Sequence, residues 1–211
     1  MQPEGNLIIR GGLVVDGSGG EPREADVEVV AGRIGRIGAV PDNGSEVIDA
    51  RRCIVTPGFI DVHTHYDGQA TWSNSLAPSS WHGVTTAVMG NCGVGFAPCE
   101  PHQREMLVNL MEGVEDIPEI VLKAGLPWNW RTFPDYLDAL AQRRFDVDIA
   151  TQVPHAALRV YVMGERGAHR EVARPEVREQ MAKLAGGAVR AGAFGFSSSR
   201  APGHKSRDGE A

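Results

Sequence analysis

The chain has 211 residues, 42% of them hydrophobic and 23% charged, with 21 Lys and Arg against 27 Asp and Glu for a formal net charge of −6. This is the composition of a folded globular protein, long enough for one sizeable core or two small ones. Its acidic balance speaks against a nucleic-acid or anionic-membrane partner, since both require a basic face. Three cysteines, Cys53, Cys92 and Cys99, are too few and odd in number for a disulfide framework and point to a reducing compartment. The N-terminus has neither a basic nor an apolar run, and no stretch approaches the roughly 20 apolar residues of a membrane span. The expectation is a cytoplasmic protein.

Up to about Pro57 the chain reads as short β runs at residues 7–10, 13–15, 27–30, 34–37, 47–48 and 54–55. They are cut by the turn pairs Gly11-Gly12, Asp16-Gly17, Ala31-Gly32 and Asn43-Gly44, so residues 1–56 are expected to form a small all-β, sandwich-like domain. From Gly58 onward apolar strands alternate with helical stretches, the mark of βα units and a parallel sheet. Strands are expected at residues 59–63, 84–89, 147–153 and 193–197. Met106, Leu107, Leu110 and Met111 fall at helical spacing, and Pro118 and Gly125-Leu126-Pro127 then suggest a long irregular loop up to Trp130. A helix over residues 133–144 would start at Thr132 as N-cap with Asp135 three residues on. A second covers residues 175–191, with Val177, Met181, Leu184, Ala188 and Val189 on one face and Pro175 and Glu176 suited to its first turn.

A closed (β/α)8 barrel takes about 250 residues, yet about 150 follow the β unit and carry four expected strands. Residues 57–211 are therefore expected to be the first half of a TIM-type barrel. The polar stretch from Arg200 to Ala211 reads as a loop after a strand, and the chain as a truncated one.

The segment richest in chemistry is Thr56-Pro57-Gly58-Phe59-Ile60-Asp61-Val62-His63-Thr64-His65. Residues two apart on a strand share a face, so His63 and His65 present two imidazoles side by side with Asp61, a pair suited to zinc. Strand C-terminal ends are where barrel folds place their active sites. A second such end is Gly83-Val84-Thr85-Thr86-Ala87-Val88-Met89-Gly90-Asn91-Cys92-Gly93, where the glycines let the backbone turn and Cys92 is either a small buried cysteine or a thiolate ligand beside the two histidines. Cys53 and Cys99 have no such setting and are read as structural. His155, after the third barrel strand, either faces the site or is a loop or substrate-lining histidine. His204 reads as exposed, and His82, His102 and His169 have no partner in the pattern. The aromatic run Pro127-Trp128-Asn129-Trp130 would line a substrate entrance or pack on the barrel rim.

These residues together resemble the amidohydrolase superfamily, and more closely its D-aminoacylase (N-acyl-D-amino-acid deacylase) branch. The likeness runs along essentially the whole chain, from Leu13-Val14-Val15-Asp16-Gly17-Ser18-Gly19 to Gly192-Ala193-Phe194-Gly195-Phe196-Ser197, and includes Phe133-Pro134-Asp135-Tyr136-Leu137. The histidine pair after Pro57-Gly58-Phe59-Ile60-Asp61 marks the superfamily; Gly90-Asn91-Cys92-Gly93 marks the branch, because many other members use a carboxylated lysine where it has a cysteine.

The resemblance implies an α/β metallohydrolase barrel with a zinc ion on His63 and His65. Cys92 would hold the tightly bound ion or bridge toward a weaker second one. Asp61 would be hydrogen-bonded to a ligand imidazole or to backbone, and the general base would lie beyond Ala211. The implied reaction is hydrolysis of the linear amide of a small N-acyl-(D-)amino acid by metal-activated water. Two alternatives stand beside it: a hydantoinase- or dihydropyrimidinase-like cyclic amidase, against which Cys92 argues, and a catalytically inert fragment lacking the later ligands and the base. Oligomeric state is not encoded in any of these features.

Overall fold

The computed structural model describes residues 6–115 and 117–201. Two compact units divide the chain at Gly58. In the first, β1 (Leu7–Val14), β2 (Arg23–Val30), β3 (Arg33–Gly38), β4 (Glu46–Asp49) and β5 (Ile54–Val55) form one five-stranded sheet in the order β3-β2-β1-β4, with β5 also on β1. A second, facing sheet is not among the described residues of this unit. β2 runs antiparallel to β1 and β3, whereas β4 and β5 run parallel to β1, one along each half of it.

The Gly11-Gly12 pair, expected to be a turn, lies within one continuous strand. The register slips between Ile9 and Gly12, a β-bulge for which Gly11 takes φ +68°. A Cβ at Gly12 would come within 2.4 Å of Val55 Cγ2, so that glycine serves close packing of β5. Asp26 on β2 locks the bulge by accepting the Gly11 N–H at 2.9 Å and the Val40 N–H at 3.2 Å, with Arg10 at 3.1 Å. The Ala31-Gly32 turn forms as expected, both residues at positive φ as a two-residue hairpin requires.

The second unit holds β6 (Phe59–Asp61), β7 (Val84–Met89), β8 (Asp148–Pro154) and β9 (Gly195–Ser197), a parallel sheet in chain order. Around it run α1 (Gln69–Trp72), α2 (Arg104–Glu115), α3 (Glu119–Gly125), α4 (Phe133–Ala141), α5 (His155–Met163), α6 (Glu165–Ala168) and α7 (Pro175–Arg190). Parallel neighbours in chain order joined by helical crossovers make the wall of a barrel, here its first four strands. α4 starts with the expected capping box: Thr132 Oγ1 accepts the Asp135 N–H at 3.2 Å and Asp135 accepts the Thr132 N–H at 2.9 Å. It ends at Ala141 rather than Arg144.

Four helices were not expected from the sequence: the single-turn α1 and α6, and two longer ones. α3 occupies the stretch expected to be a loop: Pro118 precedes the helix rather than breaking it, Glu119 pairs with Lys123 one turn on, and Leu122 is fully buried. α5 follows β8 with no intervening turn signal and buries Ala157, Leu158 and Val160. Its β-branched and aromatic residues at 160–162 mask a helix that Ala156, Ala157, Leu158 and Arg159 favour and packing completes.

The core of this unit joins Leu107 and Met111 of α2, Leu122 of α3, Val153 of β8 and Leu158 of α5 with Phe96 and Tyr136. Trp130, 3% exposed, donates its indole N–H to Phe96 O at 2.8 Å and meets the Tyr136 ring edge-on at 5.0 Å, so the aromatic run packs rather than lining an entrance. Arg104 lies over the Trp128 ring at 5.4 Å. Among the described residues, Phe59 and Ile60 of β6, Phe196 of β9 and Phe194 just before it are exposed. No helix among the described residues is long and apolar enough to cross a membrane.

Candidate metal centre

β6 ends two residues earlier than expected, at Asp61, because the Asp61 carboxylate accepts the His63 N–H at 3.2 Å and takes the donor a ladder would use. His63 and His65 thus sit on the turn just beyond the strand. Thr64 between them is 7% exposed and fixes this turn to β7, its N–H and hydroxyl both donating to Val88 O at 2.9 and 2.8 Å. Of the two partners expected for Asp61, backbone is the one it has; its other oxygen accepts from Ser79 Oγ at 3.4 Å.

Cys92 comes from the turn after β7. Gly90, Cys92 and Gly93 have φ of +76°, +53° and +74°, and a left-handed cysteine is a strained residue that its neighbours must hold. A Cβ on Gly90 would fall 2.2 Å from Gln152 O, so β8 packs directly on this turn. Ser197, at the end of β9, donates to Gly90 O and accepts the Gly93 N–H at 3.0 Å, closing the turn from the other side. Asn91 joins the two loops: its amide donates to Val88 O at 2.9 Å and Thr64 O at 3.3 Å, and its oxygen accepts from Gln152 Nε2 at 2.8 Å.

The result is a cluster of three donors. One ligand atom each from His63, His65 and Cys92 lies within 4.8 Å of the others, His63 Nε2 is 3.2 Å from Cys92 Sγ, and the two imidazole centroids are 5.4 Å apart. On a tetrahedral zinc with Zn–N near 2.05 Å and Zn–S near 2.3 Å, nitrogen and sulfur stand about 3.6 Å apart. The donor set therefore fits a zinc ion with movements of a few tenths of an ångström at the His63–Cys92 pair. Among the described residues no Asp or Glu joins the cluster.

His155 is the first residue of α5, outside the cluster, with Nδ1 3.2 Å from Ser198 Oγ and its ring 5.5 Å from that of Phe196. It lines a cavity together with Cys92, and burial, then the nearby Arg159 charge, lower its pKa. His82 and His102 are exposed in short 3-10 turns, His169 is exposed at the end of α6, and His204 lies outside the described residues. Cys99 is buried, and burial pushes its thiol up to about 12. Cys53 is exposed in the β unit, its backbone tied to Ala50 and Leu13. Asn91, Gln152 and Ser197, which hold the cluster together, carried no signal for that role, although Asn91 stood inside the motif that marked Cys92.

Residues 46–208 match the amidohydrolase family, and the chain belongs to it; the parallel sheet β6–β9 is the first part of that fold. Within the family the likeness is to D-aminoacylases. An N-acyl-D-aspartate deacylase of Alcaligenes xylosoxydans xylosoxydans is 37% identical over 195 residues, covering 92% of this chain and 36% of that protein. A solved D-aminoacylase, studied for its binuclear metal center, superposes with a TM-score of 0.74 at 34% identity over 91% of this chain and 38% of its own. The N-acyl-D-glutamate deacylase of Bordetella bronchiseptica, solved with zinc and a phosphonate mimic of the tetrahedral intermediate, gives a TM-score of 0.70 at 31% identity over 97% of this chain and 40% of its own. The chain thus spans between 36% and 40% of the length of these relatives.

Proposed function

We propose that His63, His65 and Cys92 hold a catalytic zinc ion in a hydrolase that cleaves the linear amide of N-acyl-D-amino acids. The observation that carries this reading is the convergence of two imidazoles and a thiol from two separate strand ends within 4.8 Å of one another. Relatives that share this part of the fold are a D-aminoacylase with a binuclear metal center and a deacylase complexed with zinc, which supports one tightly bound ion with a weaker second.

When bound, the ion supplies a Lewis acid for the amide carbonyl and lowers the pKa of a water toward neutrality. The protein's own part is to hold the donors. Asp61 fixes the His63 backbone, Thr64 anchors the histidine turn to β7, and the Asn91 amide keeps that turn in register with the cysteine turn. Ser197 and the glycines hold Cys92 in its left-handed conformation, with Sγ directed at the His63 ring. The proton-accepting carboxylate that amide hydrolysis requires is assigned to none of the described residues, and residues 1–211 on their own are expected to bind metal without turnover. Three cysteines, too few and odd in number for a disulfide framework, fit a reducing compartment such as the cytoplasm.

The test is zinc content by elemental analysis together with hydrolysis of N-acetyl-D-methionine against its L isomer, on the full-length polypeptide and its His63→Ala and Cys92→Ala variants. Joint loss of metal and D-selective activity in both variants is expected. Full activity without Cys92, or a protein that takes up no zinc, would defeat the reading.

A further inference from the structure

Of the asparagines in the chain, Asn43 alone precedes a glycine. It lies exposed in the loop between β3 and β4, in the β unit, and has no part in the metal cluster. Three hydrogen bonds fix the loop around it. The Gly44 N–H donates to Asp42 Oδ1 at 3.2 Å, the Ser45 N–H donates to Asn43 Oδ1 at 3.1 Å, and Asn43 Nδ2 donates to Glu28 Oε1 of β2 at 3.1 Å. Gly44 has φ +80°, and a Cβ built on it would meet nothing within 4 Å, so its nitrogen sits in open space with no side chain beside it.

These are the parts of an intramolecular acyl transfer. The Gly44 nitrogen and Asn43 Cγ belong to adjacent residues, so attack of one on the other closes a five-membered ring and needs no encounter. An amide N–H lies in the peptide plane, and the attacking face of the nitrogen is perpendicular to it. The Asp42 carboxylate therefore accepts the Gly44 proton without covering that face, and it is already within hydrogen-bond reach. The Ser45 N–H points at the oxygen on which negative charge develops, the placement that stabilises a tetrahedral adduct.

We propose that Asn43 is a site of self-catalysed deamidation in the folded protein, with the Gly44 nitrogen as nucleophile and Asp42 as proton acceptor. A bond forms between Gly44 N and Asn43 Cγ while the Gly44 proton passes to Asp42. The Cγ–Nδ2 bond then breaks, and the leaving nitrogen takes that proton back and departs as ammonia. Water opens the resulting succinimide at one carbonyl or the other, leaving aspartate or isoaspartate at position 43. The step involves neither the metal nor the deacylase reading. Its product replaces the donor to Glu28 with a second carboxylate, turning a hydrogen bond into a like-charge contact. Isoaspartate also lengthens the main chain by one carbon ahead of Glu46, whose N–H donates to Asn6 O at 3.2 Å where β4 begins to pair with β1.

The experiment incubates the full-length protein in heavy-oxygen water at physiological temperature and near-neutral pH, folded in one portion and in urea in another. Peptides are prepared at acidic pH and position 43 is read by mass spectrometry, with isoaspartate and aspartate separated by chromatography. The folded protein is expected to take up one heavy oxygen at position 43 and to give both products. Asp42→Ala, which changes an exposed side chain and whose folding is checked by circular dichroism, should slow the folded conversion roughly tenfold or more and leave the rate in urea nearly unchanged. Asn43 that stays intact in the folded protein while the urea portion converts would overturn the proposal. So would aspartate formed without isoaspartate, which marks direct hydrolysis, or a folded Asp42→Ala protein that converts as fast as the parent.

Discussion

Replacing Asn91 with alanine tests the idea that one buried amide holds two ligand-bearing turns in register. Its side chain makes hydrogen bonds of 2.9, 3.3 and 2.8 Å and the residue is 7% exposed, so no water can substitute without opening the site. At about 0.5–1.5 kcal/mol per neutral bond, and with Gln152 left holding a half-buried donor, the cost is about 2–4 kcal/mol. The Val88 carbonyl softens the loss, since it keeps both donors from Thr64. Loosening groups that orient metal ligands typically costs ten- to a hundredfold in metal affinity, and about that loss of zinc affinity is expected here. Urea unfolding followed by tryptophan fluorescence reads the first effect, because Trp72, Trp81, Trp128 and Trp130 all lie in the barrel unit. Competition with a chromophoric chelator reads the second. A variant within about 0.5 kcal/mol of the parent, a shift typical of neutral surface changes, and with unchanged zinc affinity, would refute the clamp.

Three further outcomes are expected. Gly90→Ala would place a Cβ 2.2 Å from Gln152 O at φ +76°, and should cost more than about 3 kcal/mol or abolish soluble expression, whereas Gly44→Ala, at φ +80° with nothing within 4 Å, should cost about 1 kcal/mol; paired thermal melts decide. Iodoacetamide at pH 8 should label the exposed Cys53 and leave Cys99, whose thiol is buried and raised to about 12, unmodified until the protein unfolds, as peptide mass spectrometry would show. The Asp26 carboxyl is held below its ordinary value of 3.8 by the Val40 and Gly11 N–H groups, with Arg10 adding to it. Its folded pKa being the lower one, the stabilisation is complete above 3.8 and is lost as pH falls through the folded value. Denaturation monitored by circular dichroism should therefore show Asp26→Asn less stable than the parent at pH 7, with the gap closing below pH 3.8; a gap independent of pH would contradict the assignment.

Local pattern alone places most of the strands and gives the parallel sheet after Gly58. The β runs before Pro57, the βα alternation after Gly58, the capping box at Thr132 and the stripe of α7 all depend on neighbours within one or two turns of chain. The three side chains that cluster at 63, 65 and 92 were legible as candidate metal donors for the same reason, as each stands in a motif at the end of an apolar run. Tertiary structure decided the rest. The glycines at 11 and 12 read as a turn because positive φ is all that a sequence can suggest, and the packing of Val55 and the carboxylate of Asp26 make them a bulge. α5 opens with the helix formers Ala156, Ala157, Leu158 and Arg159, but only the core that Leu158 and Val160 enter carries the helix on through Val160, Tyr161 and Val162. The clamp on the cysteine turn joins Thr64, Asn91, Gln152 and Ser197 across separations of 27, 61 and 107 residues. No spacing rule spans such distances: a hydrogen bond between strand ends is specified by the register of the sheet, and that register is fixed by burial of all the strands together.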